Sequence, residues 1–314
     1  MRIGILTSGG DCPGINATIR GVCKTAINYY GMEVVGIHSG FQGLLTKDVE
    51  SITDKSLSGL LNLGGTMLGT SREKPFKKGG VVSDVDKPSL ILQNIREMEL
   101  DCVVCIGGNG TQKTAAKFAT MGVNIVSVPK TIDNDLMGTD HTPGFGSAAK
   151  YVAASILEVV HDSLIYQLQS VTIIEIMGRN AGWLTAAAAL ARNEYNVAPD
   201  LIYLPEVVFD KDKFLADIHE VMKRKRCVVI AVSEGIRDQN GHFLDDDSKY
   251  AKKDAFGHVL HSGTGKLLES LVFKEFGCKV RSIELNVLQR CAMHIASKTD
   301  LNESFVIGSK AIDK

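Results

Sequence analysis

No sign of charge dominates this chain of 314 residues: 35 lysines and arginines stand against 36 aspartates and glutamates, a formal net charge of −1. Without a bulk field, nothing drives it onto nucleic acid or an anionic membrane. No apolar run approaches the length that crosses a bilayer. The opening residues, Arg2 to Thr7, read as a strand, not as a leader peptide. Seven cysteines, an odd number without framework spacing, fit a reducing cytosol and not a disulfide scaffold. Cys102 and Cys105 form a CxxC by letter only; they lie inside an apolar strand pattern and read as buried thiols. Low-complexity tracts and short repeats are missing. So are the two commonest nucleotide signatures. The stretch Gly263 to Leu267 lacks the outer glycine and the hydroxyl of a Walker A loop, and the first turn carries no GxGxxG.

What is present is a repeated unit of apolar strand, polar loop and helix. The length predicts two linked lobes, and the 44% hydrophobic content is ordinary for a globular chain. Ile3–Thr7 runs into Ser8-Gly9-Gly10-Asp11-Cys12-Pro13-Gly14 and a helical pattern to Tyr30. Strand, glycine loop and helix together present backbone N–H groups to a phosphate, although a tight βα turn needs glycines for its own geometry as well. Glu33–Ile37 is a second strand, residues 39–45 read as a glycine-bearing loop, and residues 54–63 as a short helix. Gly65 to Arg72 is a small polar loop whose arginine suits phosphates. A helix is expected over residues 87–100 and a buried strand over 102–106. That strand feeds Gly107-Gly108-Asn109-Gly110-Thr111 and a helix over 112–121. Another strand, 123–128, follows.

The later chain repeats the pattern. Helix 144–161, strand 170–176, the segment Met177-Gly178-Arg179-Asn180 and an alanine-rich helix over 184–191 come first. Strand 201–204 ends in Pro205-Glu206, helix 211–223 follows, and strand 227–232 ends in Ser233-Glu234-Gly235. Residues 237–258 read as a solvated excursion. Helix 263–275 and strand 279–288 precede Gln289-Arg290, and an amphipathic helix begins at Asp300 with nothing after it to complete its packing.

The densest chemistry is Pro129 to Asp140, PKTIDNDLMGTD, directly after an apolar strand. Open α/β sheets place ligands at such strand ends. Asp133 and Asp135 are two apart, so one carboxylate can face a hydroxyl to be deprotonated and the other a metal. Phosphoryl transfer needs that layout, since its catalysis is positioning plus charge neutralisation. An Asp/Asn-rich turn bonded to its own backbone is the plain alternative.

Together these motifs resemble the 6-phosphofructokinase family. TSGGDCPGINA, GGTMLGTSR, GGNGT, PKTIDNDLMGTD, EIMGR, PE and LQR stand in the family's order from Ile3 to Arg290. GGNGT alone is weak; PKTIDND followed by MGR is specific. The lysine after the proline and the MGRNAGW continuation look like a bacterial mixed-substrate group related to pyrophosphate users. The resemblance implies two doubly wound, Rossmann-like α/β lobes with the active site in the cleft between them. A donor lobe would take residues 1–145 plus 289–314, and a sugar-phosphate lobe residues 146–288. It implies transfer of a phosphoryl group from ATP, with Mg²⁺, to the 1-hydroxyl of fructose 6-phosphate in a cytoplasmic glycolytic enzyme. A homodimer or homotetramer is implied, with neither nucleic acid nor membrane as partner.

The implied roles fall on these residues. Asp133 is the base, Thr131 orients sugar or phosphate, and Arg72 and Arg179 complete the catalytic set. Gly10, Arg72, Glu73, Gly108, Asn109, Gly110 and Thr111 hold the donor. Thr131, Ile132, Asp133, Met177, Gly178, Arg179, Glu206, Arg281 and Arg290 hold the sugar phosphate, and Asn109 and Asp135 lie on the metal side. Gly110 and Lys130 set donor choice: the glycine leaves room for the α-phosphate of ATP, whereas the lysine is typical of pyrophosphate users. Steric exclusion is harder to evade than an added charge, so Gly110 outweighs Lys130. The chain departs from the family at several places. Asn109 stands where an aspartate is common, Ser170 for a phosphate-binding arginine, and Val287 for a histidine. Cys291-Ala292 replaces two glycines, and His294 is either a sugar contact or a packed helix residue. The resemblance also implies a C-terminus with last helices closing both lobes, which this sequence lacks. A pyrophosphate-dependent enzyme that also takes sedoheptulose 7-phosphate and a non-catalytic sugar-phosphate-binding paralogue are the competing readings.

Overall fold

The continuous apolar runs of the first half pair as one sheet. In the computed structural model its strands are β1 (Arg2–Ser8), β2 (Glu33–Ile37), β3 (Val49–Ile52), β4 (Cys102–Gly107) and β5 (Ile125–Pro129). Their order is β3-β2-β1-β4-β5, parallel throughout except at the edge pair of β2 and β3. Both β1 and β4 are buried along nearly their whole length, which is why they read as unbroken apolar runs and not as alternation. The structure describes residues 1–313 apart from 72, 78–85, 166, 245–251, 254–258 and 261–262.

The chain divides into two units. The first is Met1–Ile132, Leu136–Ser147 and Arg290–Lys314; the second is Asp133–Asp135 and Ala148–Gln289. In the first, helices α1 (Ile15–Asn28), α2 (Phe41–Thr46), α3 (Lys87–Glu97) and α4 (Asn109–Thr120) accompany the sheet. Leu6, Ile37, Phe41, Leu44, Ile91, Val103 and Phe118 share one apolar cluster. From β1 the chain goes to one side for β2 and β3, then returns to the other for β4 and β5. The reversal between β1 and β4 is a topological switch point, where open α/β sheets bind ligands beyond the carboxyl ends of the strands.

The second unit holds α5 (Phe145–Leu164) from Ala148 on, β6 (Ser170–Ile176), α6 (Trp183–Ala187), β7 (Leu201–Tyr203), α7 (Lys211–Met222) and β8 (Cys227–Ser233). A short antiparallel pair, β9 (Lys252–Lys253) with β10 (Val259–Leu260), then α8 (Thr264–Phe276) and β11 (Lys279–Glu284) follow. The main sheet is all parallel, in the order β11-β6-β8-β7. Val171, Ile173, Phe214, Ile218, Ile230 and Leu268 form its core. The chain closes with α9 (Leu288–Cys291) and α10 (Lys298–Lys310).

Several local expectations change. Residues 41–46 are helix and not loop: Gly40, at φ +62°, turns the chain so that Phe41, Leu44 and Leu45 bury together. The helix expected over 54–63 is two 3₁₀ turns, Lys55–Leu57 and Leu60–Asn62, parted by Gly59 in the left-handed region. Helix α4 starts at Asn109, taking in three residues read as loop. β11 stops at Glu284, before the loop residue Asn286 at φ +44°. Most of the expected excursion at 237–258 lies outside the described residues, though Arg237 bridges Phe243. The last helix does find a partner. α10 packs on α1, and a Cβ on Gly21 would lie 2.1 Å from the Phe305 carbonyl oxygen, one on Gly308 2.3 Å from that of Thr18. Only glycine permits so close an approach of backbones.

Candidate active site

In the first unit three loops leave the carboxyl ends of the neighbouring strands β1, β4 and β5. The loop after β1 is stitched to residues 66–71. Buried Thr7 donates to the Gly69 carbonyl (2.7 Å) and shares a bond with the Thr66 hydroxyl (2.9 Å), while Thr70 donates to the Gly9 carbonyl (2.7 Å). Ser71 donates to the Ser39 carbonyl at 2.6 Å. Arg72 lies outside the described residues. Its neighbour Glu73 points into an ion pair with Lys87, Oε1 to Nζ 2.6 Å, with both side chains nearly inaccessible. Asp11 is the acidic group of the β1 loop. Burial raises its pKa, against the Cys12 N–H bond and the charges of Lys130 and Arg290.

Helix α1 begins after Gly14 and α4 after Gly108, neither with a side-chain cap nor an acidic residue in its first turn. Helix N-termini so built present N–H groups and positive dipole ends to an anion. Asn109 and Gly110 are exposed at the start of α4, whereas Thr111 is buried with its hydroxyl directed to the Ser8 carbonyl (3.4 Å). A Cβ on Gly110 would meet nothing within 4 Å; one on Gly108 would stand 3.5 Å from the Lys130 carbonyl oxygen.

Lys130 is 3% exposed. Its N–H donates to the Gly107 carbonyl (3.1 Å) and its ammonium to the Gly10 carbonyl, so it ties the β5 end to the loop after β1. Thr131 pairs with Gly144 in an isolated parallel bridge, and its carbonyl accepts from the Thr142 hydroxyl (2.8 Å). Ile132 is buried, Asp133 half-buried, and Asp135 exposed. Between the two carboxylates Asn134 sits at φ +54°, a left-handed turn that asparagine tolerates.

In the second unit the end of β6 carries Met177, whose N–H donates to Gln289 Oε1 (3.2 Å). Gly178 stands at φ +133° with its N–H 3.4 Å from Glu234 Oε1. A Cβ there would lie 2.5 Å from the Ala181 carbonyl oxygen, so the turn requires glycine. The exposed Arg179 lies over the Phe243 ring at 4.9 Å, and Arg237 over the same ring at 4.4 Å. Two guanidinium groups on one ring concentrate positive charge suited to an anion. Glu206 accepts from the Gly182 N–H at 2.6 Å. Arg281 pairs with Asp162 (3.0 Å) beside a small pocket lined also by Ser163, Ser170, Thr172 and Lys279. Arg290 instead belongs to the first unit, its Nη1 3.9 Å from where a Gly10 Cβ would stand. His294 is exposed in a 3₁₀ turn, which removes the packed-helix alternative.

Among the described residues no three His, Cys, Asp or Glu side chains form a metal-holding group. A Mg²⁺ that arrives on phosphates needs only one or two protein oxygens, and the exposed Asp135 carboxylate and Asn109 amide are of that kind. Gln289, Glu234 and Asp300 were not singled out from sequence. Gln289 stood in the LQR motif and Glu234 at the polar end of a strand, but nothing in the spacing marks Asp300.

The family model described as Phosphofructokinase matches residues 2–313. The ATP-dependent 6-phosphofructokinase 3 of Bacteroides thetaiotaomicron is 59% identical over 274 residues, 84% of this chain and 80% of that one. The pyrophosphate–fructose 6-phosphate 1-phosphotransferase of Dictyoglomus thermophilum is 37% identical over all of this chain and 86% of its own. The solved pyrophosphate-dependent phosphofructokinase from Nitrosospira multiformis is 30% identical, with a TM-score of 0.84 over 99% of this chain and 75% of that one. The loops at the ends of β1, β4 and β5 thus sit in a chain that belongs to the phosphofructokinase family.

Proposed function

We propose that the chain is an ATP-dependent 6-phosphofructokinase, transferring the γ-phosphoryl group of ATP to the 1-hydroxyl of fructose 6-phosphate as a step of glycolysis. The observation that carries the donor choice is Gly110, with open space where a Cβ would stand, at the uncapped start of α4. The likeness to the Bacteroides ATP-dependent enzyme supports the same choice. Lys130 is the sign of pyrophosphate use, but its ammonium bonds the Gly10 carbonyl and braces the loop.

Asp133 takes the proton of the sugar hydroxyl as its oxygen attacks the γ-phosphorus. The bond from that phosphorus to the bridging oxygen breaks, and ADP leaves with the electron pair. Thr131 orients the reacting groups. Arg72 stabilises the charge on the transferred group, and Arg179 holds the sugar phosphate with Met177, Gly178, Glu206, Arg281 and Arg290. Gly10, Glu73, Gly108, Asn109 and Thr111 complete the donor side, Glu73 by fixing the segment through Lys87. Asp135 and Asn109 would hold Mg²⁺, which would neutralise phosphate charge. The working form is a homodimer or homotetramer in the cytoplasm, its size readable by sedimentation equilibrium.

The test is turnover of fructose 6-phosphate with Mg²⁺ and either ATP or pyrophosphate. Turnover with ATP is expected, and Asp133→Asn is expected to lower kcat by roughly 10²–10⁴ while sugar-phosphate binding persists. Turnover with pyrophosphate alone would assign donor choice to Lys130. A folded protein that binds the sugar phosphate and turns over neither donor would be the non-catalytic paralogue.

A further inference from the structure

One buried carboxylate has no part in the chemistry above. Asp300, in the first turn of α10, is 4% exposed. Its Oδ1 accepts from the Gly144 N–H at 2.9 Å; its Oδ2 accepts from the Ser147 N–H at 3.3 Å and from the Ser147 hydroxyl at 2.5 Å. The Ser147 oxygen in turn accepts from the Ser297 N–H at 3.0 Å. These amides open α5, and without Asp300 they would be orphan donors of a buried helix start. Burial raises the pKa of Asp300 against those same bonds, so holding a charge here is costly. A helix start alone needs no such cost, because serine or asparagine caps it neutrally.

The segment Asp300 grips is also the support of Thr131. Gly144 stands at φ +100° and pairs with Thr131, and a Cβ on it would lie 2.4 Å from the Cys12 Cβ. Thr142 donates its hydroxyl to the Thr131 carbonyl, and the Cys12 thiol donates to the Pro143 carbonyl at 3.4 Å. A Cβ on Gly14 would stand 3.0 Å from the Gly144 nitrogen and 2.4 Å from the Ser304 hydroxyl of α10. Residues 142–147 are therefore wedged between the β1 loop, the end of β5 and α10. We propose that Asp300 is a positioning residue for phosphoryl transfer: by holding Gly144 and Ser147 it sets the backbone of Thr131, and through it the aim of Asp133 two residues on. This rests on the reading of Asp133 as the base.

The test compares wild type with Asp300→Ala, Asp300→Asn and Ser147→Ala, by steady-state kinetics with ATP and by hydrogen exchange over residues 131–147. Asp300→Ala is expected to lower kcat at least about tenfold while KM for either substrate moves less than about threefold. Exchange should rise at 131–133 as well as at 144–147. Asp300→Asn, which keeps an oxygen for the Gly144 N–H, should restore part of the lost kcat. If Asp300→Ala does not fold, Ser147→Ala carries the test with a smaller fall in kcat and the same unmoved KM. A folded Asp300→Ala with kcat within about twofold of wild type overturns the proposal. So does exchange that rises only at 144–147. If wild type turns over neither donor, the assigned activity fails, and exchange at 131–133 still decides whether Asp300 positions that loop.

Discussion

Gly110 has open space where a Cβ would go, and its φ is not in the left-handed region, so a side chain there strains nothing in the protein. Gly110→Asp is therefore expected to unfold at the temperature of wild type within about 2 °C, because surface substitutions away from special features are nearly neutral. Its carboxylate would instead occupy the volume and charge a nucleotide needs, raising KM for ATP at least about tenfold. Unchanged ATP kinetics would remove Gly110 from donor choice. The thiols make a second residue-scale case. Burial pushes Cys12 and Cys23 up to about 12. Above the unfolded thiol value of 9.0 the unfolded chain releases these protons while the folded chain keeps them. Their contribution is whole below that value and is lost as pH rises towards about 12. The urea midpoint should fall between about pH 8 and about pH 10.5, and Cys23→Ala should flatten that fall. Equal slopes in the two proteins would contradict it.

At the scale of elements, the α1–α10 contact brings backbones close at Gly21 and Gly308, and Arg20 over the Phe305 ring and the Ser309 hydroxyl on the Gly21 carbonyl add side chains to it. Gly308→Ala places a methyl against the Thr18 carbonyl, which a rigid helix cannot move aside. A loss of about 1–3 kcal/mol is expected from such overpacking, read as a lower denaturant midpoint at constant m. Gly59→Ala is a useful contrast, since its space is open and only its φ of +78° is strained. The long strands and helices were legible in sequence because period and length mark them. The turn Phe41–Thr46 and the two 3₁₀ turns were not: their conformations depend on Gly40 and Gly59, whose positive φ no spacing reveals. The site motifs were legible for a related reason, since GGNGT and PKTIDND put unusual chemistry next to apolar strands.

At the scale of the molecule, each unit carries its own apolar cluster. The boundary at Ser147 and Ala148 falls inside α5, a single helix of 20 residues. Melting the first unit therefore removes the start of a helix that belongs to the second. Trp183, the only tryptophan, lies in the second unit, whereas far-ultraviolet dichroism reports both. The two signals are expected to give one denaturant midpoint; two separated midpoints would show units that unfold independently.

The sequence by itself determined the α/β class, the parallel strands, the family and the residues at the strand ends. Those properties reside in local periods and contiguous motifs. Tertiary structure alone decided which groups those residues face. Lys130 stands, by resemblance, as a sign of pyrophosphate use, yet it is buried with its ammonium on the Gly10 carbonyl. Glu73 reads as a donor ligand and is paired with Lys87, fourteen residues away. Asp300 reads as an ordinary first-turn residue and reaches the Gly144 and Ser147 amides across 156 and 153 residues. Such partners are chosen by where strands and helices bring the chain back on itself, and no local pattern encodes that distance.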